Sequence, residues 1–276
     1  MTSGSWRQGM HISAVLALLG VAAFPIYWML VTSLTSSAET FADAPRLVPD
    51  LSQLPIYNAV FSTTQIGVWL VNSAIVAAGT TVLSISLAIL PAYALSRLQF
   101  RGKGLLGLGL FASQMLPEVM LVVPLYAIFV TLALLDTLMG LILVNSAFTV
   151  PVVIWILKGA IDSVPVELEE AARVDGCSRI EILLLIVAPL IAPTIAAASV
   201  IAFFHGWNEY VFALTFVSSE GLRTASVGLA GFVGELITPI ETVMAVGIIY
   251  TLPAITFYLV AQRYVVAGMT SGAVKG

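Results

Sequence analysis

Charge is the first thing this chain lacks. Only 9% of its 276 residues are charged, against roughly 25% in an ordinary soluble domain. So few charges cannot cover a water-facing surface of normal size. With 59% hydrophobic residues and a mean hydropathy of +1.04, the composition reads as a polytopic membrane protein. Cysteine is nearly missing. Cys177 stands alone, which excludes an intramolecular disulfide, and beside Gly176 it reads as a small packing residue. The two histidines, His11 and His205, lie far apart, and no Cys/His cluster has metal-ligand spacing, so no metal site is expected. Nucleotide loops are missing as well: there is no G-x-x-x-x-G-K-S/T and no G-x-G-x-x-G after a strand. Gly102, Gly104, Gly107 and Gly109 read as close helix packing or a helix start. Energy for an active process must therefore come from a partner or an ion gradient.

Apolar length stands in place of charge. A bilayer core of about 30 Å needs roughly 20 apolar residues as helix. Six stretches qualify: Ile12 to Leu34, Val68 to Leu95, Leu105 to Leu134, Leu138 to Leu157, Ile182 to Val217 and Val243 to Tyr264. The expected fold is an all-α membrane protein with six transmembrane helices, one domain over residues 1–276. Pro25, Pro91, Pro117, Pro124, Pro189, Pro193 and Pro253 fall inside these stretches, which predicts kinked helices in a bundle. The first stretch is too long for a signal-peptide core, and the site-like Ala42-Asp43-Ala44 lies too far downstream, so it reads as an uncleaved span.

Lysine and arginine set the orientation. With a cytoplasmic N-terminus, Arg7, Arg97, Arg101, Lys103, Lys158, Arg173, Arg179, Arg263 and Lys275 fall inside, and only Arg46 and Arg223 fall outside. This bias predicts an even number of spans and two cytoplasmic termini.

The same bias puts a polar island, residues 162–190, on the cytoplasmic side between the fourth and fifth stretches. Asp162 to Val174 reads as a short helix from about Pro165. Proline suits a first turn, and Glu167, Glu169 and Glu170 complement the positive end of the helix dipole. Gly176 is placed to end it. Ser178-Arg179-Ile180-Glu181 is a capping box that starts a second helix. The expected product is a stiff helix-turn-helix lever at the membrane surface. Leu168, Ala171, Ala172 and Asp175 share one side by i, i+3, i+4, i+7 spacing. Small residues there suit a partner's cleft, and Glu170 and Arg173 can fix register by charge. The alternative is an amphipathic helix resting on lipid, which would expect a basic polar face rather than this acidic one.

Glu170-Ala171-Ala172, Asp175-Gly176 and Pro189-Leu190 resemble the EAA loop of membrane subunits of binding-protein-dependent ABC importers. Asn72-Ser73, Pro91 to Arg97 and Phe100 to Lys103 resemble that family's second span and its exit. Trp207-Asn208-Glu209-Tyr210 and the tail Gln262 to Gly276 resemble the carbohydrate branch, in particular the maltose-type second permease. Ala188 departs from the leucine usual before the proline. The resemblance implies that Leu168, Glu170, Ala171, Ala172, Arg173, Asp175 and Gly176 couple the chain to a cytoplasmic ATPase. It implies two ATPase subunits that bind ATP and Mg, with no cofactor in this chain. It also implies a second homologous permease and an extracytoplasmic solute-binding protein, in a bacterial or archaeal plasma (inner) membrane. The partners are then proteins and lipid, with no nucleic acid. The tail from Thr270 to Gly276 either is a disordered terminus or reaches the ATPase.

Polar residues at membrane depth are the other candidates, because a carboxylate there is costly unless it faces water or a partner. Glu118, Asn208 and Glu209 are candidates to line a solute path, with Trp207 or Tyr210 as a stacking platform for a sugar ring. A structural polar contact remains the alternative for each. Asn72 and Asn145 read as interhelical hydrogen bonds. Trp28, Trp69 and Trp155 read as interfacial anchors. The expected function is a non-catalytic sugar-importing permease. The runner-up solute is a polyol or glycerol-phosphate-type compound. Other classes are a gradient-driven transporter and a membrane enzyme using Glu118 and Glu209 as an acid/base pair.

Overall fold

The structure, a computed structural model, describes the backbone of residues 3–36, 39, 46–234 and 238–273 and the side chains of 10–36, 39, 46–233 and 238–262. Every regular element among the described residues is helical. The helices are α1 (Ser3–Ser33), α2 (Pro55–Thr63), α3 (Ile66–Arg97), α4 (Lys103–Ser113), α5 (Glu118–Thr131) and α6 (Leu138–Asp162). They continue with α7 (Val166–Val174), α8 (Arg179–Leu190), α9 (Ala192–Asn208), α10 (Val211–Phe216), α11 (Ala225–Gly234) and α12 (Ile240–Ala273). The chain divides into two compact units: Met1–Gly67 with Leu229–Leu252, and Val68–Gly228 with Pro253–Gly276.

Among the described residues, four helical segments are individually long and apolar enough to cross a membrane: Met10–Ser33, α3, α6 and Ile240–Gln262. Two bent pairs bring the number to six if each pair is one span. Both bends fall in stretches where prolines predicted kinks, and both are sharp enough to break the helix. The stretch Leu105 to Leu134 turns by 100° between α4 and α5. Pro117 lacks an N–H and sits extended at the start of α5, with ψ 127, so the helix cannot run through it. The stretch Ile182 to Val217 is three helices. α8 turns by 81° into α9 at Ile191, and a second break at Glu209 and Tyr210 separates α10. Within α8, residues Leu183–Val187 are π-helical, and the Ala188 N–H reaches back to the Leu183 carbonyl. This widened turn lies directly before Pro189, whose ring removes the next helical donor.

In the first unit, Ser33 Oγ bonds Tyr57 Oη at 2.8 Å, and Arg46 pairs with Asp50 at 2.8 Å. A Cβ on Gly247 would lie 2.7 Å from Met29 Cε, so α12 approaches α1 closely there.

In the second unit, α6 packs along α9, and both meet α3. The inward stripe of α3 is small: Ser73, Ala77, Thr80, Ser84, Ala88 and Ala92 are fully buried. Small residues let helix backbones approach where lipid offers no hydrophobic drive for association. Gly206 of α9 uses this space, because a Cβ there would come 3.0 Å from Ala77 Cα. One apolar cluster joins the lower halves of α3 and α6 to α7 and α8 through Leu157, Ile161, Ala172, Ile182 and Leu183. A second joins α5, α6 and α10 through Phe129, Leu141, Phe212 and Phe216.

Three expectations change. Trp69 is no interfacial anchor: it is buried, donates from Nε1 to the Glu220 carbonyl at 3.0 Å, and packs on Gly228. Asn72 donates to the carbonyls of Gly221 and Arg223, both at 2.9 Å, so it ties α3 to a loop rather than to another helix. Asn145 donates to Leu141 of its own helix at 2.8 Å. Trp28 and Trp155 are partly exposed. The side chains of Arg7 and Arg263, all of Lys275, and Ala42 to Ala44 lie outside the described residues. The backbone of the tail is helical to Ala273, and its side chains also lie outside them.

Candidate functional site

The α7 region is built by local rules. Pro165 is the N-cap, with ψ 130, and Glu167 and Glu169 occupy the first turn, where the helix dipole favours negative charge. Arg173 lies in the last turn. Gly176 takes φ +90, a left-handed conformation that glycine adopts without a Cβ penalty. Its N–H donates to Arg173 O at 3.1 Å, and the Cys177 N–H donates to Ala172 O at 3.0 Å. These two bonds close a Schellman motif. Ser178 then opens α8 with a formed capping box: its N–H donates to Glu181 Oε2 at 2.7 Å, and the Glu181 N–H donates to Ser178 Oγ at 3.3 Å.

The faces of α7 are unequal. Leu168, Glu170, Ala171, Arg173, Asp175 and Gly176 are exposed. Ala172 is not: it is 5% exposed and packs into the chain's own core, which removes it from the expected docking face. Val174, which sequence reasoning passed over, is 88% exposed and extends the outward apolar patch of Leu168.

The inward face holds a surprise. Glu169 is 0% exposed. Its carboxylate accepts from Tyr93 Oη at 2.7 Å and from Arg97 Nε at 2.6 Å. Arg97 Nη2 also donates to the Val164 carbonyl at 2.7 Å. Alongside, Ser96 Oγ donates to Asp162 at 2.5 Å, and Lys158 pairs with Asp162 at 2.6 Å. In the sequence, Glu169 is one acid among three, and only its partners on α3 distinguish it.

The membrane-depth candidates separate into two groups. Glu209 is buried and commits both carboxylate oxygens to α10, accepting the Phe212 N–H at 2.6 Å and the Ala213 N–H at 2.9 Å. Its backbone carbonyl accepts from Ser226 Oγ. Glu209 is therefore a helix cap, the structural alternative of its two readings. Trp207 is 1% exposed and stacks on Phe203, which stacks in turn on Phe257 with ring centroids 3.7 Å apart. That indole is a core residue and no open platform. Asn208 and Tyr210 are exposed. Glu118 begins α5 at the 100° bend, half-buried, with its carboxylate 4.0 Å from His205 Nε2 on α9. The half-buried Glu118 and His205, with the exposed Asn208 and Tyr210, are thus the polar-path candidates. No group of three or more His, Cys, Asp or Glu able to hold a metal occurs among the described residues.

Known proteins resemble this chain along nearly its whole length. The family model described as binding-protein-dependent transport system inner membrane component matches residues 84–271. The trehalose/maltose transport system permease protein of Thermococcus litoralis is 36% identical over 270 residues, 96% of this chain and 95% of that one. The sulfoquinovosyl glycerol transport system permease protein of Agrobacterium fabrum is 36% identical over 259 residues, 94% and 91% of the two chains. Among solved structures, a bacterial ABC transporter involved in the import of the acidic polysaccharide alginate matches with a TM-score of 0.82 at 22% identity, covering 96% of this chain and 99% of that one. At that identity the likeness is one of fold.

Proposed function

This chain belongs to the family of binding-protein-dependent transport system inner membrane components, and on that premise we propose that it is driven through the outward face of α7 to import a sugar. It is a membrane permease subunit of an ABC importer and performs no catalysis itself. The carbohydrate class is supported by the relatives, whose names specify trehalose, maltose and sulfoquinovosyl glycerol. The last of these, a glycerol glycoside, favours a polyol-like solute as the second reading.

One observation carries the coupling assignment. α7 is a short helix whose outward face is apolar and acidic, with Leu168, Glu170, Ala171 and Val174 exposed, while its inward face is pinned to the bundle. A lipid-resting helix would need basic residues around its apolar stripe. A helix seated in a soluble partner needs an exposed patch and a rigid base. The partner is a cytoplasmic ATPase that binds ATP and Mg. Two ATPases act on two permeases, this chain and a homologue, and closure of the ATPase pair draws the two short helices together. The positive-inside bias supports this orientation, with both termini in the cytoplasm of a bacterium or archaeon. A solute-binding protein delivers sugar on the opposite side. Glu118, His205, Asn208 and Tyr210 line this chain's share of the path.

The test is reconstitution of the chain with its partner permease, ATPase and binding protein in proteoliposomes. Trehalose, maltose and sulfoquinovosyl glycerol form the solute panel. Uptake should require ATP and the binding protein and should collapse on Glu170→Lys, with the complex still assembled. Uptake by this chain alone, driven by an ion gradient, would overturn the proposal.

A further inference from the structure

The inward face of α7 is chemically odd. A surface helix normally attaches itself by an apolar stripe. α7 buries only Glu169 and Ala172. One methyl group gives little hydrophobic grip. Its attachment is therefore mainly ionic: the fully buried Glu169 carboxylate held by Arg97 Nε at 2.6 Å and Tyr93 Oη at 2.7 Å. A buried ion pair is poor value as plain stability, because desolvation consumes much of the Coulombic gain. What it supplies is direction. Charge-assisted hydrogen bonds are short and oriented, so the two helices cannot slide past one another without breaking them.

Arg97 has a second role. Its Nη2 donates to Val164 O at 2.7 Å, in the link between α6 and α7. One guanidinium therefore ties the end of α3 to the exit of α6 and to the middle of α7. Tyr93 and Arg97 stand one helical turn apart on α3, so α7 is held at two points of that helix. The covalent route through α8 is softer. It passes a π-helical segment, Leu183–Val187, and then an 81° bend before α9.

We propose that the Glu169–Arg97–Tyr93 clasp is the joint through which displacement of α7 is passed to α3, with these three as positioning residues. This rests on the docking reading of α7. The outward residues receive the push, and the clasp makes α3, the end of α6 and α7 move as one body.

The test uses the full reconstituted importer and the solute of the panel that the wild type transports. Glu169→Gln and Arg97→Gln each remove one charge of the clasp and leave the outward face intact. Tyr93→Phe removes one hydroxyl and serves where the charge variants fail to fold. Two quantities are read: capture of the ATPase by the purified permease pair, and solute moved per ATP hydrolysed. The expected result is normal capture with solute per ATP reduced on the order of tenfold, in the range usual for coupling between two sites. Tyr93→Phe should move the ratio in the same direction, less far. Arg97→Lys, which keeps the charge, should recover part of it. Wild-type ratios in these variants overturn the proposal. So does loss of ATPase capture in the clasp variants, because the clasp would then merely shape the docking surface. Failure of the docking reading has a different signature: Glu170→Lys would leave uptake unchanged.

Discussion

Gly176 offers a way to separate backbone strain from fit to a partner. Its φ is +90, and a Cβ built there meets nothing within 4 Å. Any L-residue other than Asn or Asp therefore suffers about the same local penalty, roughly 1–2 kcal/mol for a left-handed backbone. No clash within the chain is added at the Cβ. That penalty falls on the two cap bonds, Gly176 N–H to Arg173 O and Cys177 N–H to Ala172 O. It reduces the closed cap by a factor of about 5–30. Gly176→Ala and Gly176→Leu should thus speed amide exchange at Cys177 equally, and Gly176→Asn should speed it less, since Asn tolerates this region. Transport should rank differently. If the end of α7 seats in a cleft, Leu places bulk where the partner must come. Gly176→Ala should keep a reduced uptake, and Gly176→Leu should lose nearly all of it. The assay pairs hydrogen exchange on the purified chain with ATP-dependent uptake in proteoliposomes. Equal uptake by the Ala and Leu variants would refute the seating of Gly176 against a partner. Unequal exchange at Cys177 would refute the strain argument.

Two further outcomes follow from the geometry. Glu209→Ala strips two N–H groups of α10 of their acceptor and should lower stability by about 1–2 kcal/mol, as lost helix caps do, read as thermal unfolding in detergent. Its half-saturating solute concentration should not change; a raised value with unaltered unfolding would return Glu209 to the solute path. Asp136, in the loop between α5 and α6, accepts hydrogen bonds from the Ser219 hydroxyl and from the N–H groups of Ser219 and Ser218, and these hold its carboxyl below the ordinary value of 3.8. A depressed pKa means that the tie is complete above pH 3.8 and is lost as pH falls through the lowered value. Protection of the Ser218 and Ser219 amides should follow that course, and Asp136→Asn should abolish the pH response. Constant protection through acid in the wild type would count against the tie.

The residues that were legible before the fold are those governed by neighbours in sequence. The apolar runs marked membrane-spanning segments because a bilayer admits little else. Gly176 and the Ser178–Glu181 capping box followed from backbone rules that act within four residues, and both are formed. The bends were only half legible. Pro117 and Pro189 announced weakened helices, but kinks of 100° and 81° depend on what each half packs against.

Other roles depended on distance in sequence. Glu169 and Glu170 are adjacent and chemically identical, yet one is fully buried and the other exposed. Arg97, 72 residues away, makes that difference. Trp207 reads as a platform in the sequence, but it is 1% exposed and stacked on Phe203 in the core. Glu209 looked like a path residue until α10 claimed both of its oxygens. Composition and short-range spacing determined that this chain is a membrane protein and how its polar island turns. Tertiary structure alone decided which polar groups face the protein and which remain open to a partner or a solute. Burial of a charge is settled by the partner that meets it, and that partner comes from a different helix.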